Sequence, residues 1–360
     1  MKIAQIAPII ERTPPKKYGG TERVVSLLTE GLVERGHQVT LFATADSVTN
    51  ANLIPSYPHA LREGNLQHLA DRTHWTILNS GKAYKMQEEF DVIHDHSGFL
   101  SLPSAEISST PVVYTLHGVL KKYHIELLRN YRNPFLVSIS YNQRKSATDL
   151  NYIDNIYHGI EIDNYPFSNK NDGYLLYVGR ICQEKGTRYA VEVARKLNLP
   201  LILAAKLEDF NKPYFNKYIK PFLNNKIRWV GEVNEEQRNK LYSNALCFLH
   251  PCTWEEPFGL TLIEAMATGC PVIAFNHGSV PEIINDGING FVVNSVEQMC
   301  DHIEWLPVIE RSACRQYVMD NFSVTQMLNN YENVYRQIVW ANYRVQKNYQ
   351  NNFERYLLLP

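Results

Sequence analysis

The chain lacks several features that would assign it to a common class of protein. No apolar run approaches the ~20 residues that a membrane-spanning helix needs, and neither half has an excess of one charge. Residues 1–165 contain 16 Lys plus Arg and 17 Asp plus Glu, while the remainder contains 20 of each. Because nucleic acid requires a basic face, this balance disfavours it as a partner.

Motifs typical of redox, metal and dinucleotide sites are also missing. All six cysteines lie in the second half without a Cys-x-x-Cys pair, which predicts reduced core residues of a cytoplasmic protein. The strand-like pattern at residues 2–8 comes too early for a signal peptide, so none is expected. Without Gly-x-Gly-x-x-Gly, a dinucleotide site is a poor interpretation.

The pattern that is present indicates two α/β domains. Short apolar runs typical of buried parallel strands alternate with longer helical patterns, and the pattern restarts after the polar stretch 161–173. We predict two Rossmann-like, doubly wound domains, 1–165 and 166–335, followed by a helical segment at 336–360. Strands are predicted at 2–8, 38–44, 91–95, 111–116, 135–140 and 155–157, and then at 174–179, 201–205, 227–230, 247–250, 272–275 and 290–293. Ligands of such sheets bind beyond the carboxyl ends of the strands.

The most informative segment covers residues 250–274 and predicts a strand, a Pro-containing loop, a helix and another strand. Glu256 falls just before a helix that Pro257 can start, and Glu264 lies inside that helix. Amide groups at the helix start can donate to phosphate or to sugar hydroxyls. These amides belong to Phe258, Gly259 and Leu260. Two carboxylates eight residues apart suit hydrogen-bonding to a polyol.

This segment resembles the Glu-x7-Glu motif of the retaining glycosyltransferases of family 4, and nearly the whole chain follows that family's order. The further matching motifs are Tyr18 to Arg23, Arg35 to Val39, Thr115 to Gly118, Val178 to Arg180, Glu184 to Gly186, Trp229 to Val233, Gly278 to Glu282, Gly287, and Gly290 to Val293. The resemblance implies a GT-B fold, in which two Rossmann-like domains face a cleft. It also implies retaining transfer of a sugar from a UDP-sugar or GDP-sugar to an acceptor hydroxyl. The acceptor, whether lipid, polysaccharide, natural product or protein, stays unidentified.

The same resemblance assigns roles to four residues of the second domain. Arg180 and Lys185 would clamp the donor diphosphate, Glu264 would bond the ribose hydroxyls, and Glu256 would face the transferred sugar. A forked guanidinium at a strand end and an ammonium one loop later can stabilise a leaving diphosphate. A pair of solvated loop cations is the alternative interpretation of Arg180 and Lys185.

The first domain offers three further candidates. Gly19 and Gly20 precede a helix start, where glycine lets the backbone approach a phosphate or a sugar, although a plain turn also explains them. His117 ends a predicted strand, and the resemblance places it near the donor sugar as the active-site histidine; a structural histidine is the alternative. Asp46 is interpreted as a structural or solvated loop acid.

No metal site is predicted. His94 and His96 flank Asp95 at a strand end and point to one side, which leaves zinc binding, an acceptor-side role and local hydrogen bonding as alternatives. Hydrogen bonding is favoured because a third ligand is missing. Metal-dependent transferases of the other common architecture typically use Asp-x-Asp, which is absent from this chain. The sequence therefore predicts transfer without a metal cofactor.

Membrane contact and other functions stay open at this point. Relatives that glycosylate lipids bind membranes through a basic and aromatic surface; the candidates are Lys16-Lys17-Tyr18 and Lys121-Lys122-Tyr123, for which a solvated loop is favoured. The resemblance also suggests that segment 336–360 crosses back onto the first domain.

A nucleotide-sugar epimerase or a non-catalytic nucleotide-sugar sensor could use the same scaffold. The paired glutamates argue against the first, and the retained His117 and two cations argue against the second.

Overall fold

A computed structural model of the protein describes residues 1–16, 19–63 and 69–357, and their side chains except at 69, 70 and 345–357. The chain divides into two compact units. The first comprises Met1–Ile139, Ser146–Ile156 and Met327–Pro360, and the second comprises Ser140–Lys145 and Tyr157–Gln326. The division thus falls after residues 156 and 326, whereas the predicted boundaries follow residues 165 and 335. Lys17 and Tyr18, which were named as membrane candidates, lie outside the described residues.

The first unit contains a seven-stranded parallel sheet in the order β3-β2-β1-β4-β5-β6-β7. Its strands are β1 (Lys2–Ile6), β2 (Gln38–Thr44), β3 (Asn52–Tyr57), β4 (Val92–Asp95), β5 (Val112–Thr115), β6 (Phe135–Ser138) and β7 (Tyr152–Asn155). The helices between them are α1 (Gly20–Glu34), α2 (Leu69–Lys85), α3 (Leu102–Glu106) and α4 (Lys122–Leu128). Strands β4 and β5 are buried along their whole length, as expected for the centre of a parallel sheet covered on both faces.

Two edge strands depart from the sequence prediction. Strand β3 was not predicted because it contains Pro55 and polar residues; proline is tolerated there because β3 is an edge strand. The predicted strand at 155–157 was wrong, since β7 ends at Asn155. Strand β7 is the other edge of the sheet, and its residues are largely half-exposed. Its sequence therefore lacks the continuous apolar run that marks a central strand.

The second unit contains a six-stranded parallel sheet in the order β10-β9-β8-β11-β12-β13. Its strands are β8 (Leu175–Arg180), β9 (Leu201–Lys206), β10 (Ile227–Gly231), β11 (Cys247–His250), β12 (Val272–Phe275) and β13 (Gly290–Val293). Its helices are α5 (Tyr141–Arg144), α6 (Thr187–Leu197), α7 (Lys212–Tyr218), α8 (Glu235–Asn244), α9 (Leu260–Ala267), α10 (Val280–Ile283), α11 (Val296–Glu304) and α12 (Arg311–Asn321). Two parallel sheets with flanking helices confirm the predicted α/β fold class.

The last helix, α13 (Val324–Leu357), belongs to the first unit from Met327 onward. One face of this helix is a buried apolar and aromatic stripe, which comprises Met327, Tyr331, Val334, Tyr335 and Ile338. Glu332 adds an ion pair with Arg35 at 3.1 Å and a hydrogen bond with His37 at 2.8 Å, next to the end of α1. In the described part of the chain, no helix has both the length and the apolar character required to cross a bilayer.

Candidate active site

The carboxyl ends of three neighbouring strands define the candidate site in the second unit. Strands β8, β11 and β12 are adjacent, and the chain order reverses between β8 and β11 because β9 and β10 lie on the far side of β8. In doubly wound sheets, ligands bind in the crevice at such a reversal. The loops that follow these strands, residues 181–186, 251–259 and 276–279, contain Lys185 and Glu256.

Backbone contacts hold the β8 and β11 loops together. Gly186 has a φ of 68°, and a Cβ at this position would lie 1.8 Å from the carbonyl oxygen of Pro251. Only glycine permits this approach. The amide of Thr253 also donates to the carbonyl oxygen of Glu184 at 2.9 Å. Lys185 lies between these contacts and therefore reaches Glu256.

Lys185 and Glu256 form an ion pair that is largely withdrawn from solvent. The Lys185 ammonium and the indole of Trp254 both donate to Glu256 Oε2, the indole at 2.7 Å. The two charged side chains are only 17% and 14% exposed. Burial raises the pKa of Glu256, but the charge of Lys185 and these hydrogen bonds outweigh it, so the pKa lies below its usual value. Glu256 is therefore a carboxylate.

Two other buried side chains adjoin this pair. His250 ends β11 and is 6% exposed, while Cys252 is 1% exposed and its Sγ lies 3.7 Å from Glu256 Oε2. Burial lowers the pKa of His250 to about 4 and raises the pKa of Cys252 to about 12. A neutral imidazole and a thiol thus border the carboxylate at neutral pH. Sequence reasoning missed both, because one is a strand end and the other resembles a core cysteine.

The β12 loop supports the backbone around Glu256. Gly278 has a φ of 60°, and a Cβ there would lie 2.4 Å from the Glu256 amide nitrogen. Ser279 donates from its amide to the Glu256 carbonyl oxygen at 3.0 Å and from Oγ to the Phe258 carbonyl oxygen at 2.6 Å. These bonds keep residues 256–258 in a loop conformation.

As a result, the predicted helix start at Pro257 was wrong. Helix α9 begins at Leu260, and Gly259 occupies the N-cap in the left-handed conformation with a φ of 79°. Glycine has no side chain with which to cap the helix, and the first amides of an α-helix have no intrahelical acceptor. The three backbone amides that were predicted to donate hydrogen bonds from the helix start therefore belong to two loop residues, Phe258 and Gly259, and to one helical residue, Leu260.

Glu264 is held by a partner that the sequence did not reveal. It lies inside α9, is 3% exposed, and its Oε1 is 3.2 Å from Arg238 Nη2 on α8. Burial lowers the pKa of Arg238, but the Glu264 charge more than compensates and raises it above its ordinary value. Helix α8 is mostly polar and contains no recognisable motif. The sequence therefore did not predict Arg238 as a site residue.

Arg180 also has a carboxylate neighbour. It is the last residue of β8, and its Nη1 lies 3.6 Å from Glu208 Oε2, while Lys206 Nζ is 3.8 Å from the other oxygen of Glu208. The side chain of Arg180 is 31% exposed. Both predicted phosphate-binding cations therefore have a carboxylate neighbour, although Lys185 is more enclosed than Arg180.

Two acidic residues near the site were not assigned a role from the sequence. Glu282 accepts hydrogen bonds from the amides of Tyr141 and Asn142, at 2.8 and 2.7 Å, and from the hydroxyl of Tyr157 at 2.9 Å. Glu255 accepts from the Asn142 side chain at 2.9 Å. Together they fix the start of α5 within the second unit, so their contacts are structural.

In the first unit, half-buried His117 lies at the end of a chain of hydrogen bonds that continues into the core. Its Nε2 lies 2.9 Å from His96 Nδ1, and His96 Nε2 lies 2.9 Å from Gln5 Oε1. Because an amide oxygen only accepts, His96 carries its proton on Nε2, and its neutral form then accepts at Nδ1 from His117. Burial lowers the pKa of His117 to about 3, so its ring is neutral. Gln5 therefore sets the tautomer of His117 through His96.

The neighbouring His94 forms a hydrogen bond with the last helix, α13. Its Nδ1 lies 2.6 Å from the hydroxyl of Tyr335, and its Nε2 lies 2.7 Å from Thr115 Oγ1. The ring centroids of His94 and His96 are 3.9 Å apart, and the ring planes are tilted by 40°. Asp95 accepts from the hydroxyl of Tyr84 at 2.8 Å. Local hydrogen bonding thus accounts for all three residues of the His94-Asp95-His96 segment.

The other predicted positions are placed as follows. Gly19 immediately precedes α1, and Gly20 is its first residue. Asp46 accepts a hydrogen bond from the amide of Ala60 at 3.4 Å, which agrees with a structural loop acid. Lys16 pairs with Glu63 at 2.8 Å on the surface.

Sequence comparison places both halves of the chain in known glycosyltransferase families. Residues 18–147 match Glycosyltransferase Family 4, and residues 160–315 match glycosyl transferases group 1. A glycosyltransferase of Methanocaldococcus jannaschii, itself uncharacterised, is 25% identical and covers 94% of this chain and 95% of its own length. The two matches together cover most of the chain.

Solved structures show the same fold. Sucrose-phosphate synthase from Thermosynechococcus elongatus superposes with a TM-score of 0.79 at 18% identity, covering 94% of this chain and 99% of that protein. Anabaena HepE, solved in complex with UDP and glucose, has a TM-score of 0.71 at 18% identity and covers 94% and 100% of the two chains. The two family matches identify the chain as a glycosyltransferase of the family 4 type, and the solved structures show that it has the GT-B fold.

Proposed function

We propose that this glycosyltransferase moves a sugar from a nucleotide diphosphate sugar to an acceptor hydroxyl with retention of configuration and without a metal ion. The observation that supports this most is the Lys185–Glu256 ion pair at the strand-order reversal between β8 and β11. The Lys185 ammonium is little exposed and already has an anionic partner. A phosphate oxygen of the donor can replace the Glu256 carboxylate, and Lys185 then still has one anionic partner.

In this proposal, the donor diphosphate competes with carboxylates for both cations. Lys185 leaves Glu256, and Arg180 leaves Glu208, for the phosphate oxygens. The start of α9 adds backbone donors and a favourable dipole. These groups stabilise the charge that develops on the leaving diphosphate. A divalent cation would be redundant beside them, so none is invoked.

The released Glu256 carboxylate would accept hydrogen bonds from hydroxyls of the transferred sugar. Glu264, held by Arg238, would accept from the ribose hydroxyls of the donor. The acceptor hydroxyl attacks the same face of the sugar that the diphosphate leaves, which gives retention. His117, neutral and with a defined tautomer, would bind the transferred sugar.

We propose UDP rather than GDP as the nucleotide of the donor, because HepE was solved in complex with UDP. A thermal-shift panel of UDP, GDP, ADP and their sugars tests this, with uridine as the control that lacks phosphates. A nucleotide at 100 times its Kd should add about 2.7 kcal/mol to the free energy of unfolding.

Product analysis separates the proposal from the two other functions. Nuclear magnetic resonance of the anomeric proton reports whether the configuration is retained. Conversion of the donor to an epimer without any acceptor would identify an epimerase instead. Tight donor binding with neither transfer nor hydrolysis across a panel of lipid, glycan and small-molecule acceptors would identify a sensor.

A further inference from the structure

Three potential metal ligands lie together beside the Lys185–Glu256 pair. A ring nitrogen of His250, the sulfur of Cys252 and a carboxylate oxygen of Glu256 all lie within 4.8 Å of one another. The separation between Cys252 Sγ and Glu256 Oε2 is 3.7 Å. Two ligands of a tetrahedral zinc ion with bonds of 2.0 to 2.3 Å are about 3.5 Å apart. The sulfur and the carboxylate thus already have nearly the required spacing.

The histidine of this group has an unfulfilled hydrogen-bonding atom. His250 is 6% exposed, and its Nε2 has no hydrogen-bond partner among the described residues. A buried polar atom without a partner is costly and rare in native proteins. The contacts of Cys252 Sγ are also weak, at 3.5 Å to the Glu184 carbonyl oxygen and 3.8 Å to the Trp254 carbonyl oxygen. A metal ion would give the imidazole a ligand bond and would replace the long contacts of the sulfur.

The donor set selects the type of metal. One imidazole, one thiolate and one carboxylate suit zinc and similar borderline ions, whereas magnesium and calcium require a set of oxygen ligands. Three protein ligands leave the fourth tetrahedral position for water. No comparable group of three occurs elsewhere among the described residues.

We propose that His250, Cys252 and Glu256 form a zinc site whose occupation excludes the Lys185–Glu256 ion pair. Binding forms bonds from zinc to nitrogen, sulfur and oxygen, the Cys252 thiol releases its proton to solvent, and no electrons are transferred. The ammonium of Lys185 donates a hydrogen bond to the same oxygen, Glu256 Oε2. Because two cations cannot share this oxygen without strong repulsion, zinc displaces Lys185 from Glu256.

The consequence for activity rests on the proposed function. Zinc would remove Glu256 from the sugar and would place a second positive charge beside Lys185. The protein would then be inhibited by zinc and restored by a chelator. This is opposite to the behaviour of a transferase that depends on a catalytic metal.

Cobalt(II) titration of the zinc-free protein tests the site without an activity assay. Wild type should develop thiolate-to-cobalt charge-transfer absorption that saturates at one equivalent and disappears when zinc is added. Cys252→Ser should lose this band, whereas Cys300→Ser, which removes a buried thiol outside the group, should keep it. Absence of the band in wild type, its persistence in Cys252→Ser, or equal loss in Cys300→Ser would overturn the proposal.

Two further variants keep the test decisive. Lys185→Met should bind cobalt about tenfold more tightly, because it removes the competing charge; unchanged or weaker binding would contradict the competition. Cys252→Ala provides a second thiol-free variant if the serine variant fails to fold, as judged by circular dichroism. Because the cobalt spectrum does not depend on turnover, loss of the zinc site and failure of the proposed transferase function give different results.

Discussion

Glu264 Oε1 lies 3.2 Å from Arg238 Nη2 in an ion pair between α9 and α8 that is almost completely buried. The Arg238 side chain is 14% exposed and that of Glu264 is 5% exposed. Removing one member of such a pair leaves the other charge in a poorly solvated environment. The pair therefore gives Glu264 both a fixed position and a dependence on Arg238 for stability.

The first prediction concerns this dependence. Arg238→Met should lower the free energy of unfolding by about 3 kcal/mol, because the buried Glu264 loses its counter-charge. Adding Glu264→Gln should recover part of that loss, and urea unfolding of the single and double variants measures the difference. Lys240→Ala, at an exposed position on the same helix, is the matched control. Equal destabilisation by both helix variants would contradict the buried-pair account.

The two carboxylates of the Glu-x7-Glu motif could be predicted from the sequence, but their partners could not. Glu256 and Glu264 occur in a short motif of fixed spacing. Lys185 reaches Glu256 only because Gly186 allows close packing on Pro251, and Arg238 reaches Glu264 across two helices. Contacts of this kind depend on tertiary packing, which no local pattern encodes.

The strands show the same distinction. Central strands such as β11 and β12 are continuous apolar runs, so their predicted bounds match the structure. Edge strands such as β3 are half-exposed and polar, so their signal is weak. The start of α9 was misplaced because Ser279 holds the Glu256 and Phe258 carbonyl groups, a contact that a rule about proline at helix starts does not contain.

The second prediction concerns the phosphate-binding cations. Arg180→Ala and Lys185→Ala should each weaken UDP binding about tenfold or more, because each removes a charge that would face the diphosphate. Isothermal titration calorimetry with UDP and with uridine isolates the phosphate contribution. Lys196→Ala, which removes a surface cation paired with Glu297, should leave UDP binding unchanged. Wild-type affinity in both site variants would remove these residues from the donor site.

The third prediction concerns His117. His117→Ala should reduce kcat by about a hundredfold or more, because we expect the contact between its ring and the transferred sugar to be stronger in the transition state than in the ground state. Its melting temperature should stay close to that of wild type, since His117 is only half-buried. His59→Ala, at an exposed position of the same unit, is the control for loss of a histidine. A large fall in melting temperature with normal specific activity would instead identify His117 as a packing residue.

The fourth prediction concerns stability and pH. Burial raises the pKa of Glu22 from 4.5 to about 7 in the folded protein, so the folded state holds the proton more tightly than the unfolded state. The resulting stabilisation is complete below pH 4.5 and is lost as the pH rises through 7, a change of at most about 3 kcal/mol. Glu22→Gln should therefore flatten the fall in melting temperature between pH 5 and about pH 8. Glu34→Gln, at an exposed position on the same helix, should leave the slope as it is in wild type.

The last prediction concerns metal dependence. Arg180, Lys185 and the start of α9 can supply the positive potential that a divalent cation provides in other transferases. Exhaustive treatment with EDTA should therefore leave transfer activity intact, and it should raise the activity of any preparation that contains zinc at His250, Cys252 and Glu256. Cys252→Ser should show no such rise, because it lacks the thiolate ligand. The decisive measurement is the initial rate before and after chelation, with magnesium and manganese added back separately. If chelation abolished transfer and either ion restored it, the leaving diphosphate would require a metal, and protein cations alone could not account for its stabilisation.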